Sequence, residues 1–236
     1  MKWQVPKIWE DGDVWIIGGG PSITKTFGIP DSLVDKVIKG EAKLFEYSPY
    51  FSVLHDKHVI GINIAFLIGN WIDMVFFGDA DFFLKWKPQL ENFKGLKVSC
   101  SSSTEKFDWV KYLMKDGRKP KGITDNPHKV SWNHNSGAAA ISVAVNAGAK
   151  RIFLLGFDMK LDDDKKQHFH GEYLPATKVI NKKPRKNLPF HKHLPGFAHI
   201  KLDADRMGVE IYNVNPDSAI QEFPKITLDL ALKICK

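Results

Sequence analysis

The chain has little cysteine. There are two in 236 residues, Cys100 and Cys235, far apart and without a CxxC partner. That usage excludes a disulfide framework and a cysteine-built zinc site. The chain also lacks any apolar run of the roughly 18 residues that a membrane span needs. Its longest apolar stretches, as in IGINIAFLIGNWIDMVFFGD, are broken by Gly, Asn or Asp. The opening segment MKWQVPKIWEDGD has no apolar core of the kind a secretion signal carries. No repeat at a period of roughly 20–50 residues is visible, which removes solenoids. A soluble, cytoplasmic protein without a membrane span is the expectation.

What is present is balanced. Hydrophobic residues make up 43% and charged residues 26%, the proportions of a globular chain that buries its own core. Basic residues outnumber acidic ones 34 to 27, a net charge of +7. That is mild for a dedicated nucleic-acid binder but enough to attract anions. The excess is local. Residues 160–201 hold ten Lys and Arg against four Asp and Glu, and five of the nine His, so the rest of the chain carries only +1.

Short apolar runs end repeatedly in turn residues: Asp13–Ile17, Lys57–Ile62, Asp73–Phe77, Leu96–Cys100, Lys150–Leu155 and Gly208–Tyr212. Runs of this length, rich in β-branched and aromatic residues, read as strands buried on both faces. Helical patterns lie between them. The strongest is the Ala-rich Ser136–Ala147, stopped by Gly148, and a second runs from Pro224 to Ile234 with Pro in a first-turn position. This alternation predicts an α/β, Rossmann-like fold with a largely parallel sheet and helices on both faces. The expected organisation is one domain over residues 1–236, with residues 160–201 as an irregular His/Lys-rich insertion or lid. Ligands of such sheets bind beyond the carboxyl ends of the strands. The conspicuous polar residues (Ser22, Asn63, Asp79, Asp158 and Asn213) all follow strands.

Five constellations carry chemistry. Gly18-Gly19-Gly20-Pro21-Ser22 follows the first strand. Glycines there admit positive φ and close ligand approach, and successive N–H groups before a helix make an anion nest. It is neither a dinucleotide fingerprint nor a P-loop, and a plain tight turn is the competing account. Asn63 ends the second strand, where it would bind a base or a sugar, or cap a loop. Asp79 and Asp81, two apart after the third strand, suit a divalent cation on a diphosphate, or a helix start capped by Asp81. Asn135, Ser136 and Gly137 open the Ala-rich helix, which suits an anion and equally an ordinary N-cap. His168 and His170, close to the Asp158 strand end, are candidates for acid–base work, with Asp158 beside them. His191, His193 and His199 fit a solvated basic loop equally well. No GxSxG elbow supports a hydrolase triad.

These motifs together are recognisable. VWIIGGGPSI, GIN-AF, GDADFF, NSGAAAISVAVNAGAKRIFLLGFDM and the weaker IYNVNPDS resemble a phage and bacterial family. It is related to the motility accessory factor proteins and to the archaeal 6-hydroxymethylpterin pyrophosphokinase. The same pattern is similar to the bacterial lipooligosaccharide sialyltransferases. It spans roughly residues 13–25, 58–83 and 131–173. The sialyltransferase likeness implies that Gly19, Gly20, Pro21, Ser22, Asn63, Ser136 and Gly137 grip the nucleotide of a CMP-sugar. Gly19 stands where that family has Asn. It implies a catalytic His, for which His170 or His168 is the counterpart. The pterin-kinase likeness implies Mg²⁺ held by Asp79, with Asp81 beside it.

Three readings follow. The first is a transferase, a glycosyltransferase with a nucleotide-sugar donor on Gly18–Ser22 and Ser136–Gly137 and a His taking the acceptor proton. Its acceptor is not specified, and DNA remains open through the basic segment 160–201. The second is a Mg²⁺-dependent diphosphotransferase acting on a pterin-like hydroxymethyl group. The third is a nucleotide-binding phage protein without chemistry, acting in the host cytoplasm. The segment 160–201 is expected to form a positive lid over the crevice for an anionic donor or acceptor.

Overall fold

The computed structural model describes residues 3–171 and 188–235. Nine strands form: β1 (Asp13–Ile17), β2 (His58–Ile62), β3 (Met74–Phe77), β4 (Leu96–Ser99), β5 (Lys111–Tyr112), β6 (Met114–Lys115), β7 (Lys129–Val130), β8 (Arg151–Leu155) and β9 (Glu210–Asn213). Seven of them make one sheet in the order β5-β4-β3-β2-β1-β8-β9, and every pairing in it is parallel. The remaining pair, β6 and β7, is a small parallel annex.

The reason for the parallel sheet is legible along β1. Its five residues are all buried, Val14 and Ile16 against one core and Trp15 and Ile17 against the other. Side chains alternate across a strand, so an unbroken apolar run needs cover on both faces. One cover is α4 (Ser136–Asn146), in which every residue is buried. Its Ala-rich sequence allows close approach to the sheet, and α6 (Pro195–Met207) closes its outer side through Phe197, Ile200 and Ala204. The opposite face is covered by α1 (Ser22–Thr26), α2 (Asp31–Lys39), α3 (Ala80–Asn92) and α7 (Leu228–Ile234), with 3₁₀ turns at Leu44–Leu54 and Asn63–Ile68.

Two sequence expectations are corrected. Residues 160–201 are not irregular throughout: α5 (Phe190–His193) and α6 lie at their end, so His191 and His193 sit on α5 and His199 on α6. The spacing of Phe197, Ile200 and Ala204 builds a helical core face that the Pro195-Gly196 start obscures. Residues 172–187 of the segment lie outside the described residues. Pro224 does not open the last helix either. Thr227 does, its side chain accepting the Leu230 N–H. Among the described residues no helix is long and apolar enough to cross a membrane.

Strand order reverses at β1. The chain winds outward through β2, β3, β4 and β5, then returns to β8 and β9 on the other side. The topological switch point lies here, at the carboxyl ends of β1 and its neighbours, where ligands of such sheets bind.

Candidate functional site

The loop Gly18–Ser22 and the turn Gly156–Asp158 lie side by side at this switch point. They are knitted together. Gly18 N–H donates to Leu155 O (2.7 Å) and Gly20 N–H to Gly156 O (2.9 Å). Ser22 donates twice to Asp158, from its N–H to Oδ1 (3.0 Å) and from its hydroxyl to Oδ2 (2.9 Å). None of the three glycines has positive φ. Gly20 is required for another reason: a Cβ there would lie 1.8 Å from Asp158 Oδ2 and 2.6 Å from Gly156 O. The expectation of an open anion nest is thus corrected. Gly18, Gly20 and Ser22 spend their amides inside the protein, and the glycines make room for Asp158 and its neighbours. Burial pushes the Asp158 carboxyl above the usual carboxylate range, with the two Ser22 bonds pulling the other way. Both of its oxygens serve the loop, which makes it a clamp.

The start of α4 joins the same junction. The Phe157 ring sits between two glycines, so that a Cβ on Gly18 would lie 3.2 Å from it and one on Gly137 2.9 Å. Asn135 is the N-cap, its Oδ1 accepting from Gly137 N–H (2.8 Å) and Ala138 N–H (3.2 Å). Its amide Nδ2 reaches Met159 Sδ at 3.7 Å. Ser136 is buried beside it. The first, fourth and fifth constellations of the sequence therefore converge.

His168 and His170 lie on the segment that follows the Asp158 turn, and the Phe169 ring between them meets the His170 ring edge-on with centroids 4.9 Å apart. Phe169 is buried against Tyr47, and its N–H donates to Gly19 O (3.2 Å). The two imidazoles stack with centroids 5.2 Å apart. His168 Nδ1 lies 3.3 Å from Gly19 O. A carbonyl only accepts, so Nδ1 carries the proton and the lone pair falls on Nε2. Burial lowers the His168 pKa, opposed by the Gly19 carbonyl. His170, 4% exposed, is held well below the usual imidazole range by burial and by the charges of His168 and Lys85. Burial favours the uncharged form of both rings, and His168 is the one with access to solvent.

Asparagines fill the neighbouring strand ends. Asn63, after β2, adopts a left-handed φ of 50°, a conformation Asn tolerates well. Its Oδ1 is shut from solvent with no hydrogen-bond partner among the described residues. Asn213 is fully buried with its Oδ1 in the same condition. Asn215 is 5% exposed, and its Nδ2 has no partner among the described residues. Buried polar atoms are nearly always paired, so each of these asks for an explanation. The sequence reading missed Asn215. Its signal is the short NVNP run directly after a strand.

The carboxylates after β3 stand apart. Asp79 and Asp81 are exposed at the start of α3, with β2 between their strand and β1, and neither caps the helix through its side chain. Capping by Asp81 is corrected: the residue lies in the first turn, favourable to the helix dipole. Among the described residues no group of three or more His, Cys, Asp or Glu gathers around a common point. This donor set fits a divalent cation poorly.

The fold is shared with known transferases. The chain is similar to the sialyltransferase CstII of Campylobacter jejuni, solved with the substrate analogue cytidine-5′-monophosphate, at 14% identity and a TM-score of 0.51, covering 94% of this chain and 87% of that one. It is similar to the α-2,3-sialyltransferase Cst-I of the same organism at 15% identity and a TM-score of 0.51, covering 97% and 84%. It is also similar to the MAf glycosyltransferase of Magnetospirillum magneticum AMB-1 at 13% identity and a TM-score of 0.53. There it spans 99% of its own length and 38% of the other chain. No protein-family model matches the chain, and no curated protein matches its sequence. At these identities the likeness establishes the α/β fold.

Proposed function

We propose that the protein is a nucleotide-dependent transferase of the glycosyltransferase kind, taking a nucleotide-sugar donor in the crevice where β1, β2 and β8 end. One observation carries this reading: His168, neutral and with its lone pair on Nε2, is anchored on Gly19 of the strand-end loop. It stands in a fold shared with a sialyltransferase solved with a cytidine nucleotide.

The chemistry follows from those positions. An acceptor hydroxyl attacks the anomeric carbon, the bond from that carbon to the phosphate oxygen breaks, and His168 Nε2 takes the hydroxyl proton. The departing nucleotide gains charge. The positive end of α4, at Ser136 and Gly137, supplies a dipole that stabilises it. Asn63 Oδ1 accepts a hydrogen bond from the nucleoside. Asp158 acts through Ser22 by holding the loop, and His170 backs His168.

Thermal-shift measurement with CMP, UDP and ATP tests the nucleotide class. A nucleotide at 100 times its Kd adds about 2.7 kcal/mol of stability. Stabilisation by CMP or UDP is expected. Stabilisation by ATP alone overturns the reading in favour of the diphosphotransferase. His168→Asn is expected to lower turnover of a nucleotide sugar by about 100-fold or more and to leave CMP binding intact.

A further inference from the structure

Met159–Gly171 does more than deliver His168. With α1, the start of α2 and the β9–α7 connection, this segment walls a cleft of about 710 Å³. That is within the range of roughly 300–1,000 Å³ that small-molecule sites occupy. Among the described residues its walls carry seven aspartates and three lysines, Asp31, Asp163, Asp217 and Asp229 among the aspartates. Where the described part of residues 160–201 meets the cleft, it contributes Asp162, Asp163 and Asp164 against Lys160 and Lys166; five of the segment's ten basic residues, Lys178, Lys182, Lys183, Arg185 and Lys186, lie outside the described residues.

Such a surface repels phosphate, sulfate and carboxylate groups, and it supplies acceptors for hydroxyl and ammonium donors. Asp158 is already committed to Ser22, so the usable acceptors are those nearer the rim. Asn215 also lines the cleft. Its Oδ1 accepts the Asp217 N–H (3.0 Å), which fixes the amide orientation and leaves the buried Nδ2 as an unspent donor. His168 stands on the same cleft. Acceptors around the mouth, one donor within and a neutral imidazole beside it match a polyhydroxyl ligand.

We propose that this cleft is the acceptor site and that it takes a neutral or amine-bearing polyhydroxyl compound, to the exclusion of anionic acceptors. The assignment to an acceptor rests on the transferase reading above; the ligand class rests on the cleft itself.

The test is direct binding of the full chain to a panel of immobilised oligosaccharides: neutral, amine-bearing, sialylated and sulfated, with a single-stranded oligonucleotide alongside. Binding confined to neutral and amine-bearing sugars is expected. Asn215→Leu should weaken it about fivefold, the worth of one hydrogen bond. Asp163→Asn with Asp217→Asn, both on the exposed rim and safe for folding, should weaken the amine-bearing sugars about fivefold. CMP binding should be unmoved by either change. Failure of every sugar to bind, equal binding of sulfated sugars or the oligonucleotide, or indifference to both variants overturns the proposal. CMP binding without sugar binding sinks the cleft and spares the transferase. Sugar binding that responds to the variants, with no nucleotide bound, supports the cleft and sinks the transferase.

Discussion

The strand ends on this crevice fall into two kinds. At β1 and β8, polar groups are spent. Gly18, Gly20 and Ser22 give their amides to Leu155, Gly156 and Asp158, and Asp158 gives both oxygens back. At β2 and β9, polar groups are held in reserve. Asn63 and Asn213 keep a buried Oδ1, and Asn215 a buried Nδ2, without partners among the described residues. The glycine-rich loop that dominates the sequence is thus scaffolding in large part. The plainer asparagines carry the unsatisfied hydrogen bonds a ligand would complete. An internally satisfied loop costs stability when cut; an unsatisfied amide costs little stability and much affinity.

That contrast can be broken by experiment, beginning with the largest effect. Gly20→Ala forces a Cβ into Asp158 and the Gly156 carbonyl. It is expected to cost about 3 kcal/mol, read as a lowered urea midpoint, because the backbone on one side cannot yield. Asp158→Ala leaves the two Ser22 donors without their acceptor and should cost about 2 kcal/mol, with Asp158→Asn recovering part. A wild-type midpoint for either alanine variant would show that the junction is not a clamp.

Asn63→Gly is the counterpart on the unsatisfied side. Glycine accepts the left-handed φ, so stability should move by less than about 0.5 kcal/mol. Affinity for CMP should fall about tenfold with the lost acceptor. Isothermal titration checks this, and unchanged affinity would remove Asn63 from the site.

The smallest effect is on acid stability. The native state holds His168 and His170 with lowered pKa values, so below about pH 6.5 the unfolded chain binds protons the native one refuses. Stability should therefore fall as pH drops through 6.5. His170→Asn should flatten the decline between pH 7 and pH 5 in urea titrations. A slope unchanged by that substitution would show that His170 is charged in the native state.

Much of the framework was legible because burial on both faces leaves a plain trace. All six strands expected from apolar runs exist, with ends shifted by a residue or two. The helix at Ser136 and its Asn135 cap followed from composition and capping chemistry. Other parts were hidden. Two-residue strands such as β5 and β6 carry no periodicity. The apolar face of α6 begins behind Pro195-Gly196 and stays below notice until Phe197, Ile200 and Ala204 are seen against α4. At the site, Ser22 and Asp158 are 136 residues apart, and nothing in either neighbourhood announces their two hydrogen bonds.

Sequence alone determined the parallel α/β architecture and the placement of its conspicuous polar residues at strand ends. Those follow from local pattern, which every residue carries with it. Tertiary structure decided how each polar group is used. It turned the glycine loop inward onto Asp158, placed His168 on Gly19 and left Asn63 and Asn215 with hydrogen bonds unmade. It also lined the cleft with aspartates in a chain whose net charge is positive. Hydrogen-bond partners and local fields depend on distances between groups remote in sequence, and only the folded chain sets those distances.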